Sequence, residues 1–294
     1  MRILVTGGTG FVGRPVVDLL VRHGHDLLVV TRDPERGAAC WPSASFVDAR
    51  ESSLSHRETM SRFAPDTFLH MAWEGLPDYS PAVSCRNLEL GFHFLSLALS
   101  AGARRLVGVG TCLEYGHCLG PQAEADAPLE LPETFPQAKI ATHALLRSAS
   151  QQADLEYRWA RPFYIYGPGQ REASLMPSAL RAARAGAPIQ LRDHGVALDF
   201  VHVDDVARGV ATLTTDPGPS GAFNLGSGIA YSTQWVADTV FAEASGGSRT
   251  DGQDVEARKA AGWWADIALM ESHYGWQPTI DIRNGIRDLV ARGD

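Results

Sequence analysis

Apolar positions along this chain fall into short runs separated by stretches of helical spacing. Arg2–Thr6 is a β-branched run, and Leu27–Thr31 is apolar until its last residue. Thr67–His70, Leu106–Val109 and Tyr157–Arg161 continue the series. Short continuous runs of this kind are the pattern of strands buried on both faces, as in a parallel sheet under helices. Between them, Phe11–Arg22, Asn87–Ala101 and Phe135–Gln152 carry apolar residues at helical spacing. The alternation predicts successive βαβ units, and hence an α/β fold with a doubly wound parallel sheet. After Pro162 the texture changes. Tyr166-Gly167-Pro168-Gly169 is a loop signal. Leu175–Ala185 reads as a helix, Pro188–Leu191 as a short strand, Asp204–Thr214 as a helix capped by aspartates, and Ser245–Gly252 as an exposed loop. The expected division is a first domain over 1–162, with interleaved returns near 199–225, and a smaller mixed α/β lobe over 163–294.

Composition narrows the function classes. A chain of 294 residues can bury about three quarters of its unfolded surface, so no disulfide or metal staple is required. The excess of 34 acidic over 26 basic residues argues against a nucleic-acid binder, which needs a cationic face. Apolar runs stay far below the roughly 20 residues of a spanning helix, and the first apolar stretch is too short for a signal peptide. Cys40, Cys85, Cys112 and Cys118 show neither a CxxC pair nor zinc-ligand spacing. The expectation is a cytoplasmic chain with reduced thiols, no metal, and no nucleic-acid or membrane partner.

The sharpest motif is Gly7-Gly8-Thr9-Gly10-Phe11-Val12-Gly13, between a predicted strand and a predicted helix. In that context Gly7 permits the tight turn, Gly10 lets backbone approach a pyrophosphate, and Gly13 lets the helix pack against the sheet. The helix N-terminus then offers unpaired N–H groups and partial positive charge to phosphates, at Gly7, Gly10, Phe11 and Val12. Residues 1–162 therefore read as a dinucleotide-binding domain. Thr31-Arg32 ends the second strand with Arg36 nearby, where an NAD site usually places an acid. Guanidinium groups there favour NADP(H), with NAD(H) as the other possibility. Asp48 and Ala49 are expected at the adenine edge. His70, Met71 and Ala72 are expected near the pyrophosphate and nicotinamide ribose, with a satisfied core histidine as the competing reading of His70.

These residues resemble the extended short-chain dehydrogenase/reductase family, which includes nucleotide-sugar epimerases, dehydratases and 4-ketoreductases. The resemblance spans nearly the whole chain. It includes the glycine loop, Asn87, Thr111-Cys-Leu-Glu-Tyr-Gly116, Tyr166-Gly-Pro-Gly169, Asp199–Asp205, Phe223–Ser227 and Gly275-Trp-Gln-Pro278. It implies a Rossmann-type sheet, with the C-terminal lobe binding substrate and Pro162 beside the cofactor. It also implies a relay in which a tyrosine exchanges a proton with substrate, a lysine four residues later binds the nicotinamide ribose, and a Ser/Thr steadies the same oxygen. Thr111 and Lys139 match two of these positions, and Lys139 is one of only two lysines in the chain.

Two positions depart from the family pattern. Phe135 stands where the tyrosine belongs and has no proton to give, and general acid catalysis is typically worth 10²–10⁴-fold. An introduced exchange, a chain that binds without catalysing, and a self-polarised ketone are the three readings of that change. Leu198 stands where an arginine usually holds a nucleotide-sugar diphosphate, although Arg192 or Arg171 could substitute. Both departures together favour an aryl ketone polarised by its own phenolic hydroxyl. Trp73, Trp41, Phe163, Tyr164, Trp263 and Trp264 would provide flat walls. In these departures the chain resembles ketoreductases of aromatic, angucyclinone-type polyketides in antibiotic biosynthesis, and the resemblance implies an NAD(P)H-dependent ketoreductase with Thr111 and Lys139 as its working residues, in a monomer or homodimer. The alternatives are a nucleotide-sugar 4-ketoreductase or epimerase carrying Phe135 for tyrosine, and a non-catalytic NADP(H)-binding sensor. A dehydratase is disfavoured, because Cys112-Leu113 replaces the Asp-Glu pair and Glu114, one place too late, reads as a surface or cap carboxylate.

Overall fold

The computed structural model describes residues 1–116, 118–126, 133–189, 191, 196–246 and 262–292. The chain forms two compact units. The first comprises Met1–His117, Pro128–Arg161 and Ala207–Phe223, and the second Cys118–Ala127, Pro162–Val206 and Asn224–Asp294.

The first unit is built on β1 (Arg2–Thr6), β2 (Asp26–Thr31), β3 (Ser45–Asp48), β4 (Thr67–His70), β5 (Arg105–Val109), β7 (Glu156–Pro162) and β10 (Gly221–Leu225). Their order in the sheet is β10-β7-β5-β4-β1-β2-β3. From β7 to β3 every neighbouring pair is parallel. Central β1 pairs Val5 with Val29 on one side and Leu69 on the other. The order reverses at β1, which is where open parallel sheets of this Rossmann type bind ligands, beyond the strand C-termini.

Helices α1 (Gly13–Arg22), α2 (Pro34–Cys40), α3 (Ser53–Phe63), α4 (Pro81–Ser100), α5 (Thr134–Ala153) and α7 (Val203–Thr215) complete the βα units. Leu28, Phe68, Phe94, Leu106, Leu146 and Trp159 share one buried core. Helix α4 starts six residues before the expected Asn87. Ser80 caps it by accepting the Val83 N–H, and Pro81 takes the first turn, where its missing N–H costs nothing.

The second unit holds β6 (Gly120–Gln122), β8 (Tyr164–Tyr166), β9 (Ala197–His202), β11 (Ala230–Ser232) and β12 (Gly262–Ala265). Strands β11-β9-β12-β6 form a mixed sheet, with β8 parallel to β9. Helices α6 (Leu175–Arg184), α8 (Thr233–Ala244), α9 (Ala268–Tyr274) and α10 (Ile282–Arg292) belong to this unit. Its core gathers Tyr166, Leu180, Phe200, Trp235, Ile286 and Leu289. The expected strand at Pro188–Leu191 is absent among the described residues there. Pro188 has no ladder N–H to give, and Ile189 and Leu191 pack on the core without pairing. Arg192 and, from residue 247, the loop expected at Ser245–Gly252 lie outside the described residues. No described helix is long and apolar enough to cross a membrane.

Candidate active site

The glycine loop joins β1 to α1. Gly7 has φ +78°, and a Cβ there would lie 2.5 Å from the Ala72 nitrogen. Met71 and Ala72, directly after β4, therefore back the turn from below. At Gly13 a Cβ would lie 2.1 Å from the Gly7 carbonyl oxygen, so the helix can approach the loop only without one. A Cβ at Gly10 would meet, among the described residues beyond its immediate neighbours, that same oxygen alone, at 3.3 Å, which leaves an open approach to its backbone. The Gly10 N–H is spent on the Gly7 carbonyl, at 3.1 Å. The N–H groups of Phe11 and Val12 donate to no described residue. An open glycine face and two orphaned amides at the start of α1 fit a dinucleotide pyrophosphate.

A cavity of about 100 Å³ adjoins this loop, lined by Thr9, Arg14, Thr31, Asp33, Arg36, Gly37, Cys40 and Trp41. Two of the expected residues, Thr31 and Arg36, are thus brought together there. Arg32 is not among them, because its guanidinium reaches Glu74 at 3.5 Å and is 68% exposed. Arg14 does line it, with its Nε donating to the Thr9 carbonyl at 3.1 Å. Asp33 is occupied as the cap of α2, accepting the Arg36 N–H at 3.1 Å. Asp48 is bound by Arg50 through Nε at 2.9 Å and Nη2 at 2.6 Å. The Arg50 guanidinium holds its carboxyl down at about 2. Ala49 donates its N–H to the Thr31 carbonyl at 2.9 Å, which fixes the end of β3 beside the end of β2.

His70 is a core histidine. Its Nδ1 pairs with the Thr6 hydroxyl at 2.8 Å, Gly91 makes room for Nε2, and burial pushes its pKa down to about 3. It is neutral at every ordinary pH.

Thr111 follows β5 and caps a single 3₁₀ turn over Cys112–Tyr115 in a capping box with Glu114. Its Oγ accepts the Leu113 N–H at 3.3 Å, which leaves the hydroxyl hydrogen free to donate. Glu114 is a cap, but not a surface one. It is 3% exposed and receives four hydrogen bonds: the Thr111 N–H at 2.9 Å, Trp159 Nε1 at 3.0 Å to each oxygen, and Arg161 Nε at 2.9 Å. Burial pushes its carboxyl up, against the pull of Arg161. Every group facing it is a donor, which suits the ionised form.

Lys139 projects from α5, buried, and its Nζ donates to the Val109 carbonyl at 2.8 Å. It also lies 4.7 Å from the centre of the Trp73 ring. Desolvation lowers its pKa to about 8, with Glu114 pulling the other way. Phe135, one turn earlier, meets Trp73 edge-on at 4.8 Å and Tyr79 at 5.0 Å. Asn87 pins this wall. Its Oδ1 accepts the Glu74 N–H at 2.7 Å, and its Nδ2 donates to the carbonyls of Glu74 at 3.0 Å and Val83 at 2.8 Å.

The aromatic residues expected as one set divide. Trp73 stands by Phe135, and Trp41 lines the cavity near Arg14. Phe163, Tyr164 and Trp263 pack on one another in the second unit, where Trp264 lies on β12. Pro162 ends β7. Leu198 leans on the second core.

The model of the NAD dependent epimerase/dehydratase family matches residues 3–226. The chain belongs to this family. It is an NAD(P)-dependent oxidoreductase with the family's Rossmann-type fold. A dTDP-6-deoxy-L-talose 4-dehydrogenase (NAD(+)) of Aggregatibacter actinomycetemcomitans is 25% identical, over 83% of this chain and 90% of its own. A 3-diazoavenalumate denitrifying reductase of Streptomyces is 31% identical, over 76% and 75%. Among solved structures, the UDP-glucose 4-epimerase of Thermus thermophilus in complex with NAD superposes with TM-score 0.81 and 23% identity, over 99% of this chain and 98% of that one. Arg14, which lines the cavity, and Tyr79, which packs on Phe135, were not singled out by the sequence reading. Arg14 directly follows the glycine loop, a visible position; Tyr79 carries no motif.

Proposed function

We propose that the chain is an NADP(H)-dependent oxidoreductase that interconverts a ketone and a secondary alcohol at C4 of a nucleotide-linked sugar. What carries this reading is the similarity to a 4-dehydrogenase over most of both chains, together with the retained Thr111 and Lys139. The orphaned amides of Phe11 and Val12 would hold the pyrophosphate. The Lys139 ammonium would bind the ribose hydroxyls of the nicotinamide half. Bound there, a nicotinamide supplies or takes the hydride. The Thr111 hydroxyl, free to donate, steadies the substrate oxygen, and the Trp73–Phe135 wall keeps water from that side. Phe135 itself moves no proton.

The preference for NADP(H) follows from the cavity lined by Arg14 and Arg36. Charge-assisted bonds to a 2′-phosphate are worth about 1.5–3 kcal/mol each. Arg14→Ala and Arg36→Ala should each weaken NADPH binding about tenfold or more while leaving NADH nearly unchanged, whereas Arg32→Ala should leave both alone. Fluorescence titration of the three variants checks this, and equal losses for NADH and NADPH would remove the 2′-phosphate assignment.

A second reading, reduction of an aromatic polyketide ketone, is favoured by Leu198, which leaves no cation at that position for a diphosphate, and by a 31% identical relative whose name carries no nucleotide or sugar. One assay separates the two. Purified protein is offered a dTDP-linked 4-keto-6-deoxyhexose and a polycyclic ketone with a neighbouring phenol, each with NADPH. Oxidation of NADPH with the first supports the proposal. Oxidation with the second alone replaces it, and none with either overturns both.

A further inference from the structure

Ketone reduction needs a proton at oxygen, and the ring at position 135 has none. On the oxidoreductase reading above, we propose that Tyr79 is the proton donor of this site, acting from the loop before α4 in place of the residue at 135.

Tyr79 lies against Phe135, with ring centres 5.0 Å apart and planes tilted by 41°. It is 38% exposed. Its hydroxyl bonds no described residue. The backbone around it is fixed: Asn87 holds Glu74 from both sides, Asp78 donates its N–H to the Gly75 carbonyl at 2.8 Å, and the Ser80 N–H bonds the Asp78 carboxylate at 2.8 Å. Ser80 then caps α4. A rigid loop thus carries a side chain that is free to turn, and half-exposed side chains change rotamer within nanoseconds.

Four other groups described in this unit are less suited to give a proton. Tyr115 is 1% exposed, with its oxygen bonded by Arg161 at 3.1 Å. His70 is buried, neutral and paired with Thr6. His143 is stacked on Trp159 at 5.0 Å. Thr111 has a free hydroxyl, but an aliphatic alcohol is a far weaker acid than a phenol.

In the reducing direction, a bound reduced nicotinamide would supply hydride to the carbonyl carbon, and the C=O π pair would move to oxygen. The O–H bond of Tyr79 breaks, its proton bonds to that oxygen, and a phenolate remains. Solvent water, which reaches Tyr79, returns the proton. The oxidising direction runs the same transfers backward.

The test combines two substitutions with a chemical probe. Tyr79→Phe removes one oxygen that bonds nothing, so the fold should be unaffected. General acid catalysis is typically worth 10²–10⁴-fold, so kcat on whichever of the two ketones the parent reduces should fall about 100-fold, with the NADPH Kd unchanged. Adding Phe135→Tyr should restore activity at least tenfold, since a phenol then returns at the position it is missing from. Nitration by tetranitromethane, read by peptide mass, needs no turnover: NADP⁺ should slow modification of Tyr79 at least threefold. A Tyr79→Phe variant keeping more than a tenth of the parent kcat, or a nitration rate that NADP⁺ leaves unchanged, overturns the assignment. If the parent reduces neither ketone, the proposed function fails instead, and the nitration result alone decides the place of Tyr79.

Discussion

Glu114→Ala is expected to lower stability by about 3–5 kcal/mol, the cost of leaving one member of a buried ion pair without its partner. In a chain of this length that is a fall in Tm on the order of 10 °C. The substitution strips Arg161, only 11% exposed, of its carboxylate. It also leaves the Trp159 indole N–H and the Thr111 amide without acceptors. Turnover should fall as well, because the capping box that sets the Thr111 hydroxyl is gone. Glu114→Gln separates the two effects. Its amide oxygen can still accept the Thr111 N–H, so turnover should return in part, while its NH₂ faces donors and stability should not. A thermal melt that moves by less than 2 °C in Glu114→Ala would show that the pair carries little of the fold.

That network explains which parts of the site could be read along the chain and which could not. The glycine loop, the βα alternation and Lys139 are local signals: each is a spacing within a few residues, and their context is set by the adjoining elements. Glu114 looked like a surface or cap carboxylate because its partners, Trp159 and Arg161, arrive on β7, some 45 residues later and one strand over. Arg32 ends β2 but pairs with Glu74, which lies beyond β4 and far along the chain, whereas Arg14 lines the cavity. Asp199 is similar in the second unit: its four donors come from Ser227, Gly228 and Ala265. Periodicity finds elements and short motifs find loops, whereas a buried charge is defined by whatever the sheet order places beside it.

Lys139→Met should reduce turnover by 10²–10³-fold without weakening the fold. The stability argument follows from the direction of its pKa. Burial lowers the ammonium to about 8, below the ordinary lysine value of 10.5. Below pH 8 both folded and unfolded chains carry the proton, and the folded state bears the full cost of a desolvated charge. Between about pH 8 and 10.5 the unfolded chain binds more protons, so the parent gains stability as pH rises through that window. Methionine, apolar and of similar length, removes the charge and that pH dependence together. It gives up one charge-assisted hydrogen bond, to Val109, worth about 1.5–3 kcal/mol, which the removed desolvation cost offsets. Its Tm at neutral pH should therefore lie within a few degrees of the parent, or above it, and lost turnover cannot be blamed on unfolding. The same pKa predicts a limb in cofactor binding. An ammonium donates to ribose hydroxyls with full charge only while protonated, so NADPH affinity in the parent should weaken as pH rises through about 8, and the profile of the variant should be flat. A parent profile that is flat from pH 6.5 to 9.5, or a variant keeping more than a tenth of turnover, would mean that Lys139 holds β5 to α5 and does no work on the cofactor.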